Sequence, residues 1–280
     1  MEAIFEVIEK RYSVRSYSGK EIEGEKLQKI RGCFDENKKG PFGSDVRFEI
    51  VDATDYEQDE LKKFGTYGMI KGPRVFIAGA VRKNKTAMED FGYCMEKIIL
   101  MATSLGLGTC WLGGSLNRST FADKINAGTD ELIPAVTPVG YAADKRTLTE
   151  NLVRMAVGAK NRKKPEELFF DVSVVTPLNP DSCGQYSKVL TAVRLAPSAG
   201  NKQPWRIIKD TENTWHLFMK ENPAYNNAFK EIQMQEIDMG IAMCHFELAA
   251  AELGLEGVWE IKNPTLASGD LKYIVSWTAQ

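Results

Sequence analysis

The residues Ala196–Trp205 read APSAGNKQPW, and their types suit a loop that grips a polar ligand. Pro197 fixes φ, while Ser198, Ala199 and Gly200 are small enough to let backbone approach a flat group. Asn201 offers a donor and an acceptor together, and Gln203 can do the same or brace the loop. A purely structural turn is the other reading of these residues. Near the N-terminus, EKRYSVRSY carries Arg11, Tyr12, Ser13 and Arg15. Its arginines can answer an anion or form a solvated helix face. The basic run GAKNRKKPEELFF (Gly158–Phe170) contains Lys160 and Arg162. Most such runs are solvated faces or linkers, and Lys163 and Lys164 leave its register open. Finally, GLGTCWLGG holds Trp111, Leu112, Gly113 and Gly114. Its glycines permit close backbone approach, and its tryptophan can shape a pocket or fill a core.

Other chemistries find less support. His216 and His245 are far apart in sequence and have no metal-ligand spacing, so both read as satisfied structural histidines. The five cysteines are scattered without a CxxC pair and read as reduced thiols of a cytosolic protein. Cys110 reads as a packing thiol. The Gly-x-Gly of GLGTCW follows a helix, so it fails the dinucleotide fingerprint. A formal net charge of -2 gives no sign of nucleic-acid or anionic-membrane binding. The N-terminus is acidic and amphipathic, unlike a signal peptide. Ile98–Asn117 has no charge over 20 residues, the length of a membrane span. Its four glycines and the preceding Glu96-Lys97 favour a buried helix ending in a glycine-rich turn.

The elements that must position these residues follow from periodicity. Helices are expected at Ile4–Ile8, around Leu27–Phe34, at Thr86–Leu107 and at Ile237–Leu253. Strands are expected at Val46–Asp52, Arg74–Val81, Arg206–Asp210 and His216–Lys220. IPAVTPVGYA is a further strand, weakened by Pro138. Without regular βαβ alternation the class is α+β rather than doubly wound.

The chain also repeats itself. Asp90–Trp111 aligns with Asp238–Trp259 at a constant offset of 148, with nine identities in 22 positions and no gap. Shared apolar bias would give scattered matches, whereas Asp-x-Gly, Leu-Gly-Leu and a terminal Trp recur in register. An internal duplication is expected.

Taken together, RYSVR, GTCWLGG, PVGYA and PSAGNKQPW resemble the FMN-dependent nitroreductases over nearly the whole chain. That family builds flavin sites from two identical subunits. One supplies the arginine segment and the other the PSAxNxQPW loop. Here PSAGNKQPW is missing from the first half, and the second half lacks the arginine and terminal basic segments. The chain therefore resembles the fused, pseudo-dimeric branch. The implied fold is α+β and nitroreductase-like, with two related halves in one chain, 1–180 and 181–280, mimicking the family homodimer.

Motif by motif, the resemblance implies that Arg11 and Ser13 face the FMN phosphate, with Lys160 and Arg162 joining them. Arg15 would face the flavin pyrimidine. Leu112, Gly113 and Gly114 would line the N5 edge, with Trp111 beside them. The remaining cofactor contacts would be Tyr12, Gly68, Pro197, Ser198, Ala199, Asn201 and Gln203. The implied activity is NAD(P)H oxidation by ping-pong hydride transfer through flavin N5 to a nitroaromatic or quinone-like acceptor, with no catalytic acid or base. The nicotinamide donor, NADH or NADPH, stays open. Two alternatives are a flavin-sequestering protein without turnover and another flavin reductase on the same scaffold. The implied setting is cytoplasmic, with no nucleic-acid or membrane partner. A fused dimer could work as a monomer.

Overall fold

In the computed structural model, which describes residues 2–54, 70–114, 116–144, 161–211, 214–223, 232–266 and 268–280, the aligned repeats contain similarly capped helices. The first is α3 (Ala87–Ser104) and the second α6 (Met234–Glu252). After α3, Gly106 takes φ 75°. Leu107 N then donates to Ala102 O at 2.9 Å, and Gly106 N to Thr103 O at 2.9 Å. After α6, Gly254 takes φ 70°. Leu255 N donates to Ala250 O at 2.9 Å and Gly254 N to Ala251 O at 3.0 Å. Both are Schellman caps, in which a left-handed glycine turns the chain and satisfies the last carbonyls. This explains the recurrence of Leu-Gly-Leu. The apolar stretch that starts at Ile98 thus begins as the end of a buried helix, turns at Gly106 and enters the short strand Gly108–Thr109. Among the described residues no helix is long and apolar enough to cross a membrane.

The chain divides into two compact units, Met1–Glu2 with Lys10–Ala159, and Ala3–Glu9 with Lys160–Gln280. In the first, α2 (Gly24–Glu36) precedes β1 (Val46–Asp52), β2 (Val75–Arg82) and α3. Then come β3 (Gly108–Thr109), α4 (Arg118–Lys124), β4 (Glu131–Leu132) and β5 (Val136–Gly140). The strands form an antiparallel sheet in the order β1-β2-β5-β3, with β4 also on β2. Phe76–Val81 of β2 are all buried, which is why that strand reads as a continuous apolar run. Pro138 does lie within β5, opposite Phe76. The β3 ladder ends at Thr109↔Val139, and beyond it Cys110 N donates to the Thr137 hydroxyl at 3.0 Å. The missing proline N–H therefore falls where the regular ladder has stopped.

The second unit contains most of α1 (Ile4–Lys10), then β6 (Phe169–Asp171), α5 (Tyr186–Leu195), β7 (Trp205–Thr211) and β8 (Thr214–Met219). It continues with α6, β9 (Gly257–Glu260) and β10 (Lys272–Ala279). Its sheet runs β6-β7-β8-β10-β9, with β6 parallel to β7 and the other pairs antiparallel. Without β6, this order matches that of the first sheet. Phe169–Asp171, which the sequence reading assigns to the first half, pairs with Ile207–Lys209 and belongs to the second unit.

Candidate functional site

In the first unit the RYSVR segment is extended. Ser13 bridges Thr109, and Val14 N donates to Thr109 O at 2.8 Å. Farther on, Lys71 N donates to Arg15 O at 2.8 Å. The Thr-Cys-Trp segment is therefore hydrogen-bonded to the arginine segment, and both stand at fixed register. Leu112 is tied to Val136 by two backbone bonds of 2.9 Å, which leads the chain into Gly113 and the exposed Gly114.

The two arginines differ. The Arg11 side chain is only 6% exposed, and its Nε lies 3.9 Å from Oε1 of the fully buried Glu96. Trp111 Nε1 donates to the other Glu96 oxygen at 2.7 Å. Sequence reading places Arg11 at the phosphate, but the structure gives it a carboxylate partner in the protein interior. Arg15 is half-buried and donates weakly to Ser13 O at 3.5 Å. Among the described residues it has no carboxylate partner, a condition that suits an anionic ligand. Tyr12 is 39% exposed.

In the second unit the 197–203 loop has an unusual backbone. Gly200 and Asn201 both take φ 55°, and Gln203 takes φ 49°. Left-handed conformations cost energy in residues other than glycine and collect at ligand-binding loops. Side chains hold the run in place. The Ser198 hydroxyl accepts from Gln203 N at 2.9 Å. Gln203 Oε1, on a residue 2% exposed, accepts from Lys163 N at 2.8 Å. Asn201 Nδ2 donates to Asn161 O at 2.7 Å. Arg162 donates to Asn201 Oδ1 at 2.5 Å and to Leu195 O at 3.0 Å. Arg194 Nε adds a bond of 2.7 Å to Lys163 O. Arg162, Asn201 and Gln203, placed by sequence reading in different halves, thus form one network within one unit. Pro197 and Ala199 are half-buried in the same loop. Gly68 and Lys160 lie outside the described residues.

Sequence reading passed over two carboxylates that organise these loops. One is Glu96. The other is Asp238, whose Oδ1 accepts from Ala199 N at 2.8 Å. Its repeat partner Asp90 accepts from Phe42 N and Ser44 N, both at 2.8 Å. The Asp90/Asp238 identity in the repeat was the available signal. Burial raises the Asp90 carboxyl above its ordinary range against the pull of those amides, and raises Asp238 well above it.

The remaining chemistry-bearing groups are structural. His216 contacts the Ser276 hydroxyl through Nδ1 at 2.6 Å and Asp210 through Nε2 at 3.2 Å. These are the residue types of a hydrolase triad, but Ser276 is fully buried in the sheet, so no substrate reaches it. His245 Nδ1 lies 3.0 Å from Ala192 O. All five cysteines are free. Burial raises the Cys33 thiol to about 11 and the Cys94 thiol to about 12, so both stay protonated and unreactive. Within the second unit, Arg162, Asn201 and Gln203 bring a cation and two amides to one loop, residue types suited to an anionic, polar-edged ligand such as FMN. Within the first, Arg15 and the glycine-rich turn offer a cation and close backbone approach.

Comparison with known proteins agrees with this fold. A family model described as "Putative TM nitroreductase" matches residues 3–250. The chain is similar to a solved structure described as a putative nitroreductase from Thermotoga maritima. Identity is 19% and the TM-score 0.62, over 99% of this chain and 93% of that one. An FMN-dependent nitroreductase from Clostridium difficile is 21% identical over 50% of this chain and 88% of its own, with TM-score 0.40. A putative NADH oxidase from Clostridium acetobutylicum is 23% identical over 50% of this chain and 89% of its own, with TM-score 0.41. No curated protein matches. The family match over most of the chain, on a nitroreductase-like α+β fold, shows that this chain belongs to the TM nitroreductase family.

Proposed function

We propose that this chain is an FMN-dependent NAD(P)H oxidoreductase. The observation that carries the reading is the loop in which Gly200, Asn201 and Gln203 are left-handed, joined by Asn201 and Gln203 to the Arg162 segment. A strained, polar, cation-bearing loop of this kind is costly to keep without a ligand. Bound FMN would supply two-electron chemistry between a reduced nicotinamide and a nitroaromatic or quinone-like acceptor. Arg15 and Arg162 would offset its negative charge. Asn201 would meet its polar edge, with Gln203 and Ser198 holding the loop. Gly113 and Gly114 would let backbone approach the ring. Arg11 would act through Glu96 and Trp111.

We further propose that the two units descend from one duplicated ancestor and that each chain carries one FMN. The matching strand order and paired Schellman caps support the first point. For the second, the loop before β1, Gly40–Ser44, reads GPFGS and contains no Asn or Gln. Its Phe42 and Ser44 amides are taken up by Asp90.

The test is the absorbance spectrum of the purified protein before and after anaerobic NAD(P)H. We expect a flavin spectrum at one FMN per chain that bleaches with reductant. A flavin spectrum that does not bleach would indicate a sequestering protein. Colourless protein that binds no added FMN would end the reading. Two equivalent flavins per chain would refute the single-site assignment.

Asn201→Ala is expected to weaken FMN binding by about 1–3 kcal/mol, because Arg162 and the Asn161 carbonyl lose their partner as well as the flavin. Titration by flavin fluorescence quenching measures it. An unchanged affinity would make Asn201 a structural turn residue only.

A further inference from the structure

α6 begins at Met234 and carries Asp238 in its first turns. The residue is 2% exposed. Oδ1 accepts from Ala199 N at 2.8 Å, while Oδ2 has no partner among the described residues. The corresponding residue of the first unit, Asp90, uses both oxygens, one on Phe42 N and one on Ser44 N. That loop is closed tightly onto its carboxylate. A Cβ at Gly40 would lie 2.2 Å from Asp90 Oδ1 and 2.3 Å from Asp90 Cβ. The same helix position therefore holds a loop in each unit. In the first unit the loop consumes the whole carboxylate, and in the second it takes one oxygen.

We propose that Asp238 is the positioning residue of the 198–203 loop, fixing the Ala199 amide and through it the left-handed run that presents Asn201. The link is short in sequence. Asn201 N donates to Ser198 O at 2.9 Å and Lys202 N to Ala199 O at 3.2 Å, so the residue that Asp238 holds is also the acceptor that closes the turn. The run has no regular sheet or long helix of its own to keep it left-handed. Burial disfavours the charged form of Asp238. The neutral acid has an acceptor at one oxygen and an O–H at the other, the pattern of an asparagine amide. Asparagine is thus a conservative replacement here, whereas alanine removes the acceptor of the Ala199 N–H.

The affinity arm of the test rests on the flavin reading, but the exchange arm does not. Amide hydrogen exchange is followed across residues 197–203 of the full chain without flavin, and FMN affinity is titrated separately. The variants are Asp238→Ala, Asp238→Asn and, as a control, Asp90→Ala. We expect Asp238→Ala to speed exchange at Ala199 and to weaken FMN binding by about tenfold, with Asp238→Asn restoring both. Asp90→Ala should lower thermal stability while leaving loop exchange and FMN affinity within about twofold. The proposal is overturned if Asp238→Ala leaves Ala199 exchange unchanged, if Asp238→Asn fails as alanine does, or if Asp90→Ala loosens the 198–203 loop equally. Should Asp238→Ala not fold, the wild-type Ala199 amide decides: exchange at the rate of an unprotected amide overturns the clamp, and strong protection retained in Asp238→Asn supports it. If the wild-type chain binds no FMN, the flavin reading fails and the exchange arm still judges Asp238.

Discussion

Glu96→Ala is expected to destabilise the first unit by about 3–5 kcal/mol, the cost of removing one partner from a buried ion pair. The Glu96 side chain is fully buried, and Arg11, 3.9 Å away, is 6% exposed. No hydrogen-bond partner serves Arg11 Nε among the described residues, so the carboxylate is its nearby compensation. The same change leaves the Trp111 indole N–H, now 2.7 Å from Glu96 Oε2, without an acceptor. Glu96→Gln separates the two effects, because the amide oxygen can still accept from Trp111 but brings no charge to Arg11. Denaturant titration should rank wild type above Gln and Gln above Ala. A loss below about 1 kcal/mol in Glu96→Ala would place the pair among ordinary surface contacts and refute this account. Because Glu96 joins the first arginine of RYSVR to the tryptophan of GTCWLGG, FMN affinity should fall along with stability.

Phe246→Ala in α6 is expected to cost about 3–5 kcal/mol through loss of apolar contact and the cavity left behind. Phe246 is fully buried. Its ring lies 6.0 Å from Tyr186, 6.3 Å from Trp215, 5.5 Å from Trp259 and 5.5 Å from Trp277. These aromatics belong to α5, β8, β9 and β10, so one side chain holds the helix against much of its unit. Intrinsic fluorescence should report the change directly, since three tryptophans surround the site. Phe246→Leu keeps part of the apolar volume and should cost less. Equal stability of wild type and Phe246→Ala in denaturant would show that the cluster is loosely packed. The helix also carries Asp238, so loosening it should speed exchange in the 198–203 loop.

Much of the fold was legible because its signals are local. The α3 and α6 stretches have long apolar patterns, and each ends where a left-handed glycine caps the helix. Strands β1 and β2 announced themselves by short apolar runs bounded by Gly, Pro or Asp. The strand through Pro138 is legible from its apolar run despite the proline. Whether that proline could be tolerated depended on how far β3 extends beside it, which the β5 sequence does not encode. The amphipathic start of the chain showed a helix with an apolar face, but not that Ala3–Glu9 groups with the second unit.

The candidate site divides in the same way. By itself the sequence determined that this chain carries a polar, small-residue loop, an arginine segment, a glycine-rich turn and a repeated Asp-bearing helix, because residue type and spacing along one element fix those properties. Only the tertiary structure decided which groups meet. Arg11 turned to Glu96, Arg162 and Lys163 joined Asn201 and Gln203, and Asp238 took the Ala199 amide. Each contact joins segments more than 30 residues apart in sequence. A buried charge or amide takes the partner that packing brings within hydrogen-bond reach, and sequence spacing does not specify that distance.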